Sequence, residues 1–275
     1  MDLKSTDPRD YEASPHGIAA MPKEFPAGSR VPPHVHGRAQ LIYATSGVME
    51  VTTADGLWLL PPQRALWMPA GIAHAMVARC HVSLRTLYVA PDACPAAFPD
   101  APRLVRVSAL LRELILRVAR MPLDREPSEH ERRIVALLPY EIAWEPGGLF
   151  HLPIPKDRRL ARICRSLIDD PGDGRDLEAW AAEVGASSRT LARLFRREFG
   201  STFLIWRKQV RALSAVPRLA AGEPVGVVSA DLGYETPGAF AAMFRQMMGA
   251  RPSRYGDRDR PGSTGEAGLT LSDPA

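Results

Sequence analysis

The 275-residue chain is 45% hydrophobic and 24% charged, the balance of a folded protein with room for two domains, which excludes a largely disordered chain. Cys80, Cys94 and Cys164 are isolated and odd in number, which excludes a disulfide framework or zinc ribbon, and no run approaches the roughly 18 apolar residues of a membrane span. The net charge of +4 is uneven: 18 Lys or Arg stand against 12 Asp or Glu from Arg158 to Arg260, an excess suited to a polyanion, and the remainder sums to −2.

Residues 1–15 lack an apolar leader and are expected to form a flexible N-terminus of a cytoplasmic protein. Residues 16–100 are written in short β-type runs, among them Gln40–Thr45, Val48–Thr53 and Leu57–Leu60, with Asp55-Gly56 marking a hairpin turn. Strands at this spacing predict a small β-barrel or jelly roll. Within it stand His34-Val35-His36, then Gln40, then Pro69-Ala70-Gly71-Ile72-Ala73-His74. His34 and His36, two apart on a strand, project to one face, and imidazoles suit zinc, nickel, copper or iron. The same groups also suit an organic effector, or hydrogen bonding within the barrel. Tyr43, Met49, Trp58, Trp67 and Met68 offer apolar surface, either as pocket lining or as core.

Residues 101–145 carry Val107, Leu110, Leu111, Leu114, Ile115 and Val118 at helical spacing. Ser128 and Glu131 form a candidate capping box for a second helix with Ile134, Leu137 and Leu138, which Pro139 should end or kink. This helical pair either covers the barrel or serves dimerisation. Pro146-Gly147-Gly148 and Leu152-Pro153-Ile154-Pro155 mark residues 146–157 as a linker.

Residues 158–256 contain two helix-turn-helix patterns, at 177–198 and 224–248. In the first, Leu191, Leu194 and Phe195 form an apolar stripe, while Arg189, Arg193, Arg196 and Arg197 fall together on the other side. Four arginines on a face without an acid, directly after a helix-turn, point to DNA. In the second, Thr236 is the N-cap and Pro237 the first helical residue. Phe240, Met243, Phe244 and Met247 turn inward there, leaving Pro237, Gly238, Ala241 and Arg245 outward. The predicted DNA-contacting set is Ser188, Arg189, Arg193, Arg196, Arg197, Thr236, Ala241 and Arg245. Arginines near the start of the first recognition helix are suited to bidentate contacts with guanine, whereas the second helix has few groups for direct readout. Residues 257–275 look like a flexible tail.

Gly185–Phe195, Leu219–Gly222, Leu232-Gly233-Tyr234, Ala239-Phe240, Met243-Phe244-Arg245 and Gly249–Tyr255 resemble the AraC/XylS family of transcription regulators. That resemblance implies two helix-turn-helix subdomains joined by a long helix over Phe203–Ala221. Pro217 departs from it, since an interior proline costs about 3 kcal/mol and bends or ends a helix. The two histidine blocks resemble the paired motifs of cupin barrels, where three histidines and a carboxylate converge on a divalent metal. Here His34, His36 and His74 match, Gln40 replaces the usual glutamate, and Gln63 stands where a glycine opens the second motif.

The fold class implied is α+β multidomain: a cupin-type barrel, helices, then an all-α tandem helix-turn-helix domain. The function implied is a non-enzymatic regulator of transcription. Its partners would be double-stranded promoter DNA, a small-molecule or metal effector at His34, His36, Gln40 and His74, a second copy in a homodimer, and RNA polymerase if it activates. A cupin metalloenzyme with an appended DNA-binding domain is the alternative, weakened by the missing acid. A constitutive DNA-binding protein with a structural barrel is another.

Overall fold

The computed structural model describes residues 5–145 and 148–256. The expected tail, 257–275, and Pro146-Gly147 of the expected linker lie outside the described residues. The N-terminal half folds into two antiparallel sheets, as the turn-punctuated β-type runs require. The strands are β1 (Ile18–Phe25), β2 (Arg30–His34), β3 (Ala39–Ser46), β4 (Met49–Thr53), β5 (Gly56–Leu60), β6 (Arg64–Met68), β7 (His74–Ala78), β8 (Val82–Val89), β9 (Arg103–Arg106), β10 (Ala143–Trp144) and β11 (His151–Pro153). One sheet runs β1-β8-β3-β6-β9-β10 and the other β11-β5-β4-β7-β2.

Strand alternation sorts the apolar side chains between two faces. Ile42, Ala44, Leu66 and Met68 of the first sheet join Met49, Val51, Trp58 and Leu60 of the second in one core. Their neighbours Leu41, Tyr43, Ala65 and Trp67 face the other way. There they meet Leu111, Leu114, Ile115 and Val118 of α2 (Ala109–Val118), so this helix covers the outer face of the first sheet. After it, α3 (Glu129–Leu137) starts at the predicted capping box, with both reciprocal hydrogen bonds between Ser128 and Glu131 formed.

Two expectations are corrected. The N-terminus expected to be flexible contains a helix, α1 (Pro8–Glu12): Asp7 caps it by accepting the Arg9 N–H, and Pro8 supplies a preset first turn. Burial of Tyr11 holds α1 down, its ring stacked on Tyr88 with centroids 5.9 Å apart. The segment expected as linker contributes β11, whose Leu152 pairs with Leu57 of β5 and is 4% exposed. An apolar residue at the edge of a sheet gains more from burial than from remaining in a solvated linker. The long connecting helix that the resemblance implies is present, and Pro217 does not end it. It lies one turn from the C-terminus of α7 (Phe203–Ala220), where the ring forfeits a single backbone bond and is itself buried among the core residues of this helix.

The remaining helices are α4 (Arg158–Asp169), α5 (Leu177–Glu183), α6 (Ser188–Phe199), α8 (Val225–Asp231), α9 (Pro237–Met248) and the short α10 (Ser253–Gly256). The α5–α6 and α8–α9 pairs are the two helix-turn-helix units, and α7 joins them. Arg211 of α7 is 8% exposed and donates from Nε to the Pro171 carbonyl at 2.9 Å and from Nη2 to that of Asp173 at 3.2 Å. Its guanidinium also lies over the Tyr234 ring. One buried cation thus ties the α4–α5 loop to the turn of the second unit. Gly233 in that turn has φ +74°, and a Cβ there would lie 2.7 Å from the Gly172 carbonyl oxygen. Only glycine satisfies both demands. No helix among the described residues is long and apolar enough to cross a membrane.

Candidate metal centre and nucleic-acid interface

His34 ends β2 and His74 begins β7, and antiparallel pairing sets them opposite one another. His36 follows β2 by two residues, and its carbonyl accepts the N–H of Gly71, which ties the two histidine-bearing loops together. The ring centroids of His34 and His74 are 4.3 Å apart and those of His34 and His36 4.8 Å. One ligand nitrogen from each of the three lies within 4.8 Å of the others. A tetrahedral zinc site with bonds of about 2.0 Å sets its ligand atoms roughly 3.3 Å apart, so the rings would close by up to about 1.5 Å to hold such an ion.

Each ring has one nitrogen already committed. His34 Nδ1 lies 2.8 Å from the Pro32 carbonyl oxygen and His74 Nδ1 lies 3.0 Å from that of Ile72. A carbonyl only accepts, so both Nδ1 atoms carry a proton, and in the neutral ring the lone pair then falls on Nε2. His36 Nδ1 meets the Glu12 carboxylate. His74 Nε2 is buried and has no hydrogen-bond partner among the described residues. Burial pushes the His74 imidazole down to about 4, with the neighbouring His34 and His36 adding to the effect, so the ring is held in the neutral form that binds metals.

Gln40, on β3 of the opposite sheet, is 3% exposed, and its Oε1 is likewise without a protein partner. Its register neighbour Tyr88 packs edge-on against His36. Three imidazoles gathered in this way, with an amide oxygen on the facing sheet that has no partner among the described residues, are a donor set that fits a divalent cation such as zinc, nickel, copper or iron. The five residues read as either pocket lining or core are core: Tyr43 and Trp67 on the helix-covered face, and Met49, Trp58 and Met68 between the sheets. Sequence reasoning missed Glu12. Its only local signal was the Asp7-Pro8 helix start, which says nothing about His36.

On α6, Leu191, Leu194 and Phe195 are buried, and Arg189, Arg193, Arg196 and Arg197 are exposed. Arg189, Arg193 and Arg196 rim a single hollow together with Thr190 and Ala192. Among the described residues these three arginines have no ion-pair partner, whereas Arg197 pairs with Glu198 at 2.8 Å. Ser187 caps α6 by accepting the Thr190 N–H, and Ser188 is the first helical residue, only partly exposed. On α9, Thr236 spends its hydroxyl accepting the Ala239 N–H at 3.2 Å. Pro237, Gly238, Ala242 and Arg245 are exposed and Ala241 is partly buried. Gln246, absent from the predicted set, is also exposed, about 100° round the helix from Arg245 and so on the flank of this face.

Residues 24–142 match the AraC-like ligand binding domain, and residues 180–258 match a helix-turn-helix domain. The chain is 32% identical over 248 residues to the HTH-type transcriptional regulator NimR of Escherichia coli, covering 89% of this chain and 90% of that protein. It is 31% identical over 117 residues to the HTH-type transcriptional regulator RipA of Corynebacterium glutamicum, 42% of this chain and 33% of that protein. Among solved structures, ToxT from Vibrio cholerae aligns over 87% of this chain and 98% of its own, with a TM-score of 0.37 and 8% identity.

Proposed function

From the premise that the chain belongs to the AraC family of helix-turn-helix transcription regulators, we propose that it reads promoter DNA chiefly through α6 and responds to a divalent cation, or a ligand held by one, at His34, His36, His74 and Gln40. The observation that carries the sensor reading is the convergence of His34, His36 and His74, with one ligand nitrogen of each within 4.8 Å of the others and every Nδ1 held by a carbonyl or by the Glu12 carboxylate. His34 and His74 lie on one sheet and Gln40 on the other, so an ion held by all of them would cross-link the sheets. The cation would supply positive charge and fixed coordination. The relatives are named as transcription regulators, and this reading assigns the cluster no reaction.

For DNA, Arg189 and Arg193 are the base-reading pair, suited to the two acceptors on a guanine edge, and Arg196, Arg197 and Arg245 hold phosphates. Ser188, Thr236 and Ala241 belong to the same contact faces, with Thr236 acting through its helix cap. The smooth, small-residue start of α9 suits thymine methyls or groove shape. Leu110, Leu137 and Tyr140 are 52%, 51% and 87% exposed in the helical segment after the sheets. Exposed apolar groups of that size support a homodimer contact there. RNA polymerase is the further partner if the protein activates.

Any effect of the cation on DNA requires that it bind one arrangement of the two halves better than another. The test measures metal by mass spectrometry on protein purified without chelator or tag, beside His34→Ala and His74→Ala, with DNA affinity measured with and without metal. Near-stoichiometric metal in the parent, lost in both variants, is expected. Absence of metal after reconstitution with zinc and nickel would overturn the sensor reading and leave the DNA reading standing.

A further inference from the structure

We propose that Glu12 is the outer carboxylate of the histidine cluster, so that loading of a cation and docking of the N-terminal helix α1 are one linked event. The inference rests on the cation reading above and goes beyond it by assigning a residue and a regulatory consequence outside both histidine blocks.

The argument starts from what a metal-binding imidazole requires. Its second nitrogen needs an acceptor that fixes ring and tautomer, and a carboxylate in that role makes the ligating nitrogen more basic. His34 and His74 find their acceptors locally, in the carbonyls two residues before them. His36 does not: its Nδ1 is met by Glu12, 24 residues away in the chain. Glu12 is therefore the one member of the acceptor set that can leave.

What holds it in place is α1 and the segment after it. Tyr11 is fully buried and stacks on Tyr88, whose ring also packs edge-on against His36. The Gly37 N–H reaches the other Glu12 oxygen, at 3.5 Å. Arg38 donates to the carbonyl of His16 at 2.8 Å and to that of Ser14. Residues 36–38, beside the cluster, thus contact the N-terminal segment at each successive position. A cation that draws on His36 Nε2 strengthens the Nδ1–H bond to Glu12 and so holds α1 down. By the reciprocity of linkage, a docked α1 raises cation affinity by the same factor.

The experiment uses the full chain and zinc(II) as the probe. Zinc affinity is measured by calorimetry for the parent, Glu12→Ala and Glu12→Gln, with thermal melts of the metal-free proteins to verify folding. Hydrogen exchange of residues 8–13 is followed in the parent with and without zinc. Loss of an outer-sphere carboxylate is expected to weaken zinc about 10- to 100-fold, with Glu12→Gln intermediate because an amide oxygen still accepts but carries no charge. Zinc should slow exchange across residues 8–13 in the parent by a comparable factor and leave it unchanged in Glu12→Ala. A purely structural Glu12 would not produce that zinc-dependent protection.

Equal zinc affinity in parent and variants, or exchange in the parent indifferent to zinc, overturns the role of Glu12 while the histidine site stands. A parent that binds no zinc overturns both, a result separable from the first because it appears without any variant. The parent exchange measurement decides the question even if Glu12→Ala fails to fold.

Discussion

Arg193 and Arg245 are both exposed arginines on outward helix faces, yet their surroundings differ. Arg193 lies on the same side of α6 as Arg189 and Arg196, in the middle of the helix, while Arg245 is the single arginine of α9, near its end. Arg193→Ala is expected to relax discrimination at one base pair by about 1–3 kcal/mol, seen as a flattened preference across single-substituted operators. Arg245→Ala should weaken every sequence alike and lower the slope of log affinity against log salt by about 1. Uniform weakening by both variants would refute the division of roles. The histidines were legible at this scale because their spacing is local: a two-residue step and a tight Pro-Ala-Gly turn bring them together. Glu12 was not, because its chemistry depends on a helix whose docking is decided by the burial of Tyr11.

Elements inherit the same logic. Ser128 caps α3 with its side chain, so Ser128→Ala is expected to cost about 1 kcal/mol in a denaturant titration with an unchanged slope. The strand β11 is fastened from the other side by Gln209 of α7, whose Nε2 lies 2.8, 2.9 and 3.1 Å from the carbonyl oxygens of Gly148, Leu149 and His151. Gln209→Leu removes the donor from all three acceptors and is expected to destabilise this junction by about 1–3 kcal/mol, read as faster hydrogen exchange over residues 148–153. His151 stacks on Trp58 at 3.6 Å, and burial lowers its imidazole below the ordinary histidine range, opposed by Asp55. A histidine buried in neutral form stabilises fully above its unfolded value, and that contribution is lost as pH falls through the lower folded one. Acidification below the ordinary imidazole range should therefore loosen β11, and His151→Phe should remove that pH dependence of exchange. The linker pattern of prolines and glycines concealed this strand because β11 is held by a distant edge and a distant glutamine rather than by its own propensity.

Across the whole molecule, one contiguous set of contacts runs from the histidine cluster to the DNA-binding half. His74 pairs in register with Thr53, and Thr53 Oγ1 accepts the Trp58 Nε1–H at 3.2 Å. Trp58 stacks on His151, whose carbonyl accepts from Gln209 of the helix that joins the two helix-turn-helix units. Continuity alone does not demonstrate coupling, which is an energy difference between two states. The expected result, on the proposed reading, is that zinc changes the DNA affinity of the parent and that Gln209→Leu shrinks this factor toward one while zinc still binds. An undiminished factor in that variant would sink the route through α7.

The sequence by itself determined the order of the two halves, the two helix-turn-helix units, the arginine face of α6 and the three histidines. Each is written in spacings of a few residues, where the period of a helix or strand decides which side chains share a face. Only the tertiary structure decided that Glu12 completes the hydrogen bonding of His36, that Tyr43 and Trp67 turn away from the cluster, that residues 151–153 are a strand, and that α7 continues through Pro217. These depend on contacts between residues far apart in the chain, where burial of a side chain in an already formed core outweighs local propensity.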